Sequence, residues 1–462
     1  MRDDTRQGWR DTLRSMLTGW QRPTTHPVDS EGEGAESLIG FVVAAALVGV
    51  LTGLSAATFK LLLKQGARLR GELAHWAHGG PWGLVVVVLA CAACAAAAAA
   101  LVHRIEPHAE GSGIPRVEAV ADGRVRPDRF RILPVKYIGG LLAISSGMAL
   151  GREGPSVQMG GSAAVIVATL TRRNLADLRL LVAGGAAAGL ATAFNAPIAG
   201  GVFVLEELLK RFDPRTTIAT LVASGSGFAA ARLLVSPDTE FHMQPLGDPR
   251  LLESGWVVAI GLVTGVLGVL YNEAVMRTLR RADASRMPRE VRAAATGVLV
   301  GLVVWTAPAL AGSGDNLTQN ALSGHGTLLV VIGMFVVRFA LGVVSYAAAT
   351  PGGLFAPMLV LGSQSGLAVG LIAAQLTPHA MPSLPACALI GMAAFFTASV
   401  HAPVTGLILA TEMTGNTNQL PPALGACAIA MLVAVALRSE PIYERLSHRA
   451  ATAAAKSEAR HT

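Results

Sequence analysis

From Phe339 to Leu437 the chain carries a single Asp, Glu, Lys or Arg, which is Glu412. No water-facing surface can be assembled from such a run. A lipid-facing one can, because a membrane-spanning helix needs about 20 mostly apolar residues. The rest of the sequence agrees. Of 462 residues, 52% are hydrophobic and 15% charged, against about 25% charged in soluble domains, and mean hydropathy is +0.51. In lipid every backbone polar group must be satisfied internally, so the chain reads as an all-α, polytopic membrane protein. Its net charge of +7 sits in loops and tails, at 124–131, 210–215, 277–292 and from Arg438 onward. The rule that cytoplasmic loops of membrane proteins are rich in Lys and Arg accounts for these clusters, and no nucleic-acid partner is expected.

The first apolar spans are Leu38–Phe59 and Trp82–Val102. Further stretches run at about 133–150, 155–171, 180–205, 216–235, 254–276, 293–311, 326–348, 354–378, 385–400, 402–411 and 421–437. Several are too short, or too broken by Gly and Pro, to cross a bilayer alone. Pro115, Pro155, Pro197, Pro357 and Pro403 fall at or near helix starts, where a missing N–H does no harm. Aromatics are scarce at 5% and there are 51 glycines, so close helix packing through small residues is expected. Cys91 and Cys94 form a C-x-x-C, read as two small residues in an alanine-rich helix rather than as a redox or metal motif. The opening MRDDTRQGWRDTLRSMLTGWQRP reads as a cytoplasmic amphipathic surface helix, not a signal peptide.

The chain also repeats itself. Gly111-Ser112-Gly113 is matched by Gly312-Ser313-Gly314. Lys136 is matched by Arg338, Gly140 by Gly342, Pro155 by Pro357, and Gly160 by Gly362, all at an offset of 202. Ala196-Pro197-Ile198 with Glu206 is matched by Ala402-Pro403-Val404 with Glu412 at an offset of 206. The expected organisation is a terminal segment (1–37), two repeats (38–240 and 250–440) and a short cytoplasmic tail (441–462) without a regulatory domain. Repeated halves with short, broken helices in corresponding places point to a transporter whose site lies near the bilayer midplane.

Three motifs open apolar helices: GSGIP (111–115), GREGP (151–155) and GGLFAP (352–357). A helix start carries free N–H groups and a partial positive charge of about +0.5. In lipid those groups need a partner, and several converging ends would suit an anion. Partial charges also hold an ion loosely enough for it to leave. Arg152 and Glu153 are the only charged residues between Lys136 and Arg172. An ionised Glu153 at a helix start would take the place of an anion. Burial favours the neutral carboxyl, and a protonated Glu153 would leave, which links proton and anion occupancy. Ionisable groups inside a membrane are functional by default. Adjacent helix residues do not face each other, so an Arg152–Glu153 ion pair is the weaker reading. Ser112 could be an anion ligand or a helix N-cap, and Tyr443 could be an interfacial-belt aromatic. Glu206 and Glu207 could form a salt-bridged helix end with Lys210 and Arg211 at i,i+4.

GSGIP, GREGP, GGLFAP and the late tyrosine of EPIY together resemble the CLC chloride channel and transporter family, in particular its bacterial chloride/proton antiporters, over roughly residues 38–446. The resemblance implies two inverted halves with broken and re-entrant helices. It also implies a homodimer in the inner membrane, with both termini cytoplasmic, chloride as substrate and no cofactor or metal. Glu153 would be the external gate and Glu207 the internal proton-transfer residue. Ser112 and Tyr443 hydroxyls, with Gly113 and Ile114, would surround the central anion. Leu354 and Phe355 would offer it backbone N–H groups, and the backbone around Arg152 and Gly154 would serve an outer site. A serine at 112 fits chloride. Glu118 and Lys136 resemble a structural charged pair. Glu207 favours chloride/proton exchange over the alternative, a passive chloride channel on the same scaffold. An intramembrane enzyme is not supported: no H-E-x-x-H occurs among the eleven histidines, and His401 reads as structural.

Overall fold

The computed structural model describes residues 35–127, 130–236 and 238–458, so the N-terminal amphipathic segment lies outside the described residues. The described chain forms seventeen α-helices and no named strands. In the first half these are α1 (Ala35–Ala77), α2 (Gly83–Ile105), α3 (Ile114–Ala121), α4 (Ile132–Ser145), α5 (Glu153–Leu170), α6 (Leu175–Phe194), α7 (Pro197–Phe203) and α8 (Pro214–Ala231). The second half repeats them in order. It has α9 (Ser254–Ala284), α10 (Arg289–Thr306), α11 (Asp315–Leu322), α12 (Leu328–Tyr346), α13 (Phe355–Leu376), α14 (Leu384–Val400), α15 (Pro403–Thr414) and α16 (Leu420–Ala436). A last helix, α17 (Ile442–Glu458), carries Tyr443.

The correspondence extends to backbone detail. Gly113 (φ 82) and Gly314 (φ 91) are left-handed N-caps of α3 and α11, a conformation glycine adopts without a Cβ clash. Asn195 (φ 55) and His401 (φ 64) are left-handed C-caps of α6 and α14, each just before the proline that opens the next helix. His401 is thus a structural cap.

Six helices are long and apolar enough to cross a membrane among the described residues. Four of them are only 33–39% buried over their apolar windows. In contrast, α6 and α13 are 78% and 83% buried over their apolar windows, so protein surrounds them. The packing is close. A Cβ on Gly160 of α5 would lie 2.0 Å from the Gly185 carbonyl oxygen of α6, and one on Gly391 of α14 would lie 2.5 Å from Gly366 Cα of α13. Small residues let these backbones touch, which is how dispersion replaces the absent hydrophobic drive between helices in lipid. Cys91 and Cys94 are free thiols on α2.

One element is longer than the sequence suggests. α1 continues past Phe59 to Ala77, through Lys60, Lys64, Arg68 and Arg70. Two of these cations have partners inside the protein. Lys60 pairs with Glu240 at 2.5 Å, and Arg70 donates to the Ser145 carbonyl at 2.9 Å, at the negative end of α4. A charge that resembles the end of a span is instead a contact.

The halves meet at their loops. Gly151 and Gly353, related by the 202-residue offset, exchange backbone hydrogen bonds of 2.8 Å each way. Gly111 N–H donates to Thr350 O at 3.1 Å and Gly352 N–H to Gly111 O at 3.0 Å. All three glycine-rich motifs therefore converge at the centre of the molecule.

Candidate functional site

The site grows from these loops. Arg152 is the N-cap of α5 and Leu354 the N-cap of α13. Glu153 is fully buried. Its Oε1 accepts a hydrogen bond from Phe355 N–H at 2.7 Å and a longer one from Ala356 N–H at 3.4 Å. The first-half carboxylate thus caps the second-half helix, as an anion would. It fits because Gly151 and Gly353 leave the space open: a Cβ on either would lie within about 2.1 Å of a Glu153 oxygen. Of the two expected backbone donors, Phe355 is engaged by Glu153 itself. The second donor to that carboxylate is Ala356, a residue the sequence does not single out. Ala356 is legible only as the next free N–H of the first turn.

Ser112 is 1% exposed and its Oγ has no hydrogen-bond partner within the described chain. Gly113, not Ser112, is the N-cap of α3, and no side chain caps that helix, so the capping reading of Ser112 fails. Ile114 opens α3 and is buried. The next element lies close: a Cβ on Gly154 would sit 2.6 Å from Ser112 Oγ. Tyr443 is also 1% exposed, with its Oη unpartnered, so it is not an interfacial-belt residue. Its ring packs edge-on against Phe203, centroids 6.2 Å apart, and Phe203 packs on Phe355 at 5.6 Å. Phe355 in turn touches Phe194 and Phe396. An aromatic wall therefore joins α17 to the start of α13. Buried hydroxyls without acceptors are costly unless something accepts from them. Together with the helix starts they make a buried, donor-rich centre suited to a small anion.

Arg152 does not pair with Glu153. Its Nε donates to Ala193 O at 2.9 Å, and its two terminal nitrogens reach Asp315 Oδ2 at 3.1 Å and Glu240 Oε1. Only its backbone belongs to the helix start.

Glu207 is 6% exposed and sits in a π turn, Val204–Leu208, that continues α7. Such turns shift the register of the residues after them and occur often at functional positions. The expected i,i+4 salt bridges are absent among the described ion pairs. Lys210 pairs instead with Glu444 at 3.2 Å and Arg211 with Asp213 at 3.5 Å. The reason is local: the π turn widens the spiral and Lys210 adopts φ 53, so residues four apart no longer stack. Glu206 faces the other half. Its carboxylate accepts from Val404 N–H at 3.0 Å, and from Thr405 N–H and Oγ1 at 2.7 Å each. Glu118 pairs with Arg124 at 2.5 Å. Lys136 donates to the carbonyls of Ala109 and Gly111, bracing the GSG loop, as Arg338 braces its repeat through Leu310, Gly312 and Ser313.

Comparison with known proteins finds relatives along most of the chain. The family model described as voltage gated chloride channel matches residues 94–435. A curated relative, the H(+)/Cl(-) exchange transporter ClcA of Vibrio parahaemolyticus serotype O3:K6, is 36% identical over 449 residues, covering 95% of each chain. That of Vibrio cholerae serotype O1 is 39% identical over 362 residues, 76% of each chain. Among solved structures, a slow cyanobacterial Cl-/H+ antiporter superposes with TM-score 0.85 at 30% identity, covering 92% of this chain and 99% of that one. A CLC-type fluoride/proton antiporter, TM-score 0.74 at 21% identity over 87% of this chain and 97% of its own, shares the fold. Converging helix starts, a buried carboxylate on one of them and similarity along most of the sequence lead to one conclusion: the chain belongs to the voltage-gated chloride channel, or CLC, family.

Proposed function

We propose that this protein is a secondary active transporter that exchanges chloride for protons, with Glu153 as the proton-linked gate. One observation carries the reading: the Glu153 carboxylate lies on the Phe355 and Ala356 N–H groups, where a chloride would compete with it. Ionised, Glu153 blocks that position. When a proton binds its carboxylate, the negative charge is lost and the side chain yields to chloride. Ser112 and Tyr443 donate their hydroxyls to the central anion, framed by Gly113 and Ile114. Leu354 with Phe355 and the backbone around Arg152 and Gly154 supply N–H groups.

Glu207 exchanges protons with the cytoplasm. The chain just after it borders a cleft of about 220 Å³ lined in part by Glu118, Lys210, Glu444 and His448, which gives water an approach. Basic loops orient the chain with both termini cytoplasmic, in the inner membrane. A homodimer is the assembly that membership of the CLC family implies. The relatives are transporters, not enzymes, and chloride is substrate rather than cofactor.

The test uses the purified chain in liposomes under a chloride gradient with no proton gradient. Wild type moves protons against chloride, Glu207→Gln keeps chloride flux and loses proton movement, and Glu153→Gln loses the proton dependence of chloride flux. Chloride flux without proton movement in wild type would instead identify a passive channel.

A further inference from the structure

Between the two halves, residues 238–250 form a strap across one end of the molecule. Phe241 N–H donates to Met413 O at 2.9 Å, and His242 and Gln319 exchange hydrogen bonds of 2.9 and 2.8 Å. The strap is therefore fixed to α11 and to the end of α15. It carries Glu240, whose carboxylate takes Lys60 of α1 at 2.5 Å and the Arg152 guanidinium. Asp315, the first residue of α11, takes another nitrogen of that guanidinium at 3.1 Å. Arg152 and Glu240 side chains are each 11% exposed, and Asp315 is 39% exposed. Two cations and two anions balance, and Arg152 has three acceptors on three separate elements: α6, the strap and α11.

This arrangement matters because Arg152 immediately precedes Glu153. An arginine with free donors in so poorly hydrated a place would seek an anion, and charge-assisted hydrogen bonds are about twice as strong as neutral ones. The nearest candidates are the Glu153 carboxylate and the transported ion. We propose that Glu240, with Asp315, is a positioning residue for the gate: it holds the Arg152 guanidinium away from Glu153 and from chloride. The gate then answers to helix N–H groups, whose grip is weak, and not to a full charge, whose grip would trap it. The inference rests on the reading of Glu153 as the gate.

Removing the Glu240 charge releases one arm of Arg152, which keeps only Asp315 and the Ala193 carbonyl. Drawn to Arg152, Glu153 leaves the Phe355 N–H to chloride, or the arginine binds chloride directly. Both raise chloride affinity and slow release. In liposomes, Glu240→Gln is expected to lower the chloride KM about tenfold, with turnover falling in step. Glu240→Gln combined with Arg152→Gln returns KM to near the wild-type value, because the freed cation is gone. A loss of folding alone lowers the amount of active protein and leaves KM untouched. If Glu240→Gln cannot be purified, Asp315→Asn, at the more exposed end of the clamp, lowers KM in the same direction by a smaller factor. An unchanged KM in a well-folded Glu240→Gln or Asp315→Asn chain overturns the proposal. So does a shift that survives in the double variant, since it would then come from Lys60. Glu153→Gln measured alongside keeps the two ideas apart: proton coupling that persists without this carboxylate sinks the gate reading, whatever KM does.

Discussion

Ser112 and Tyr443 each bring one hydroxyl to the centre of the molecule and leave it without an acceptor among the described residues. A hydrogen bond to a charged partner contributes about 1.5–3 kcal/mol, so Ser112→Ala and Tyr443→Phe should each weaken chloride binding by roughly tenfold or more, read by calorimetry. Gly154 is as demanding as either. Its missing Cβ leaves 2.6 Å to both Ser112 O and Oγ, so Gly154→Ala must push the GSG loop away from α5. Chloride transport should fall sharply while the helical content stays constant by circular dichroism. Ser112 and Gly154 are readable from sequence because each sits in a glycine-rich motif at a helix start, whereas Tyr443 is readable only through the family resemblance. The surroundings of Arg152 are not. Its partners Glu240 and Asp315 are 88 and 163 residues away, and only the fold brings them to the gate.

Among the elements, α17 shows how a helix is tied to a site it only touches at its first turn. Arg445 bonds Glu273 at 2.8 Å, and Arg449 forms a fork on Asp283 at 2.8 and 2.7 Å while reaching Glu110 at 3.6 Å. Glu110 directly precedes the GSG loop, so one arginine joins the helix of Tyr443 to the loop of Ser112. Arg449→Ala should raise the chloride KM by a few-fold, less than Tyr443→Phe, and more so at low salt, because partly exposed ion pairs contribute about 0.2–1 kcal/mol each and are screened. The sequence marks this segment as a basic, alanine-rich tail. Its helix is not legible there, because the carboxylates that dock it lie on α9 and just before the GSG loop. The π turn at Glu207 is likewise hidden: in the sequence Val204–Leu208 looks like a continuous helix.

At the scale of the whole molecule, Glu206 and Glu412 are reciprocal. Glu206 of the first half caps α15, and Glu412 of the second caps α7 through Ile198 N–H at 3.1 Å and Ala199 N–H at 2.7 Å. Each carboxylate satisfies helix-start donors that lipid would leave bare. Losing an N-cap costs about 0.5–2 kcal/mol, so Glu206→Ala and Glu412→Ala should each lower the detergent unfolding midpoint, Glu206→Ala the more, since it also strips the Thr405 hydroxyl. Sequence alone established the membrane character, the approximate helices, the repeat and the anion-seeking helix starts. Each arises from local composition or from a pattern repeated along the chain. The tertiary structure alone decided who caps whom, that Glu207 stands in a π turn and what holds Arg152. Those are contacts between segments far apart in sequence, chosen by which buried donors and charges still lacked a partner once the helices had packed.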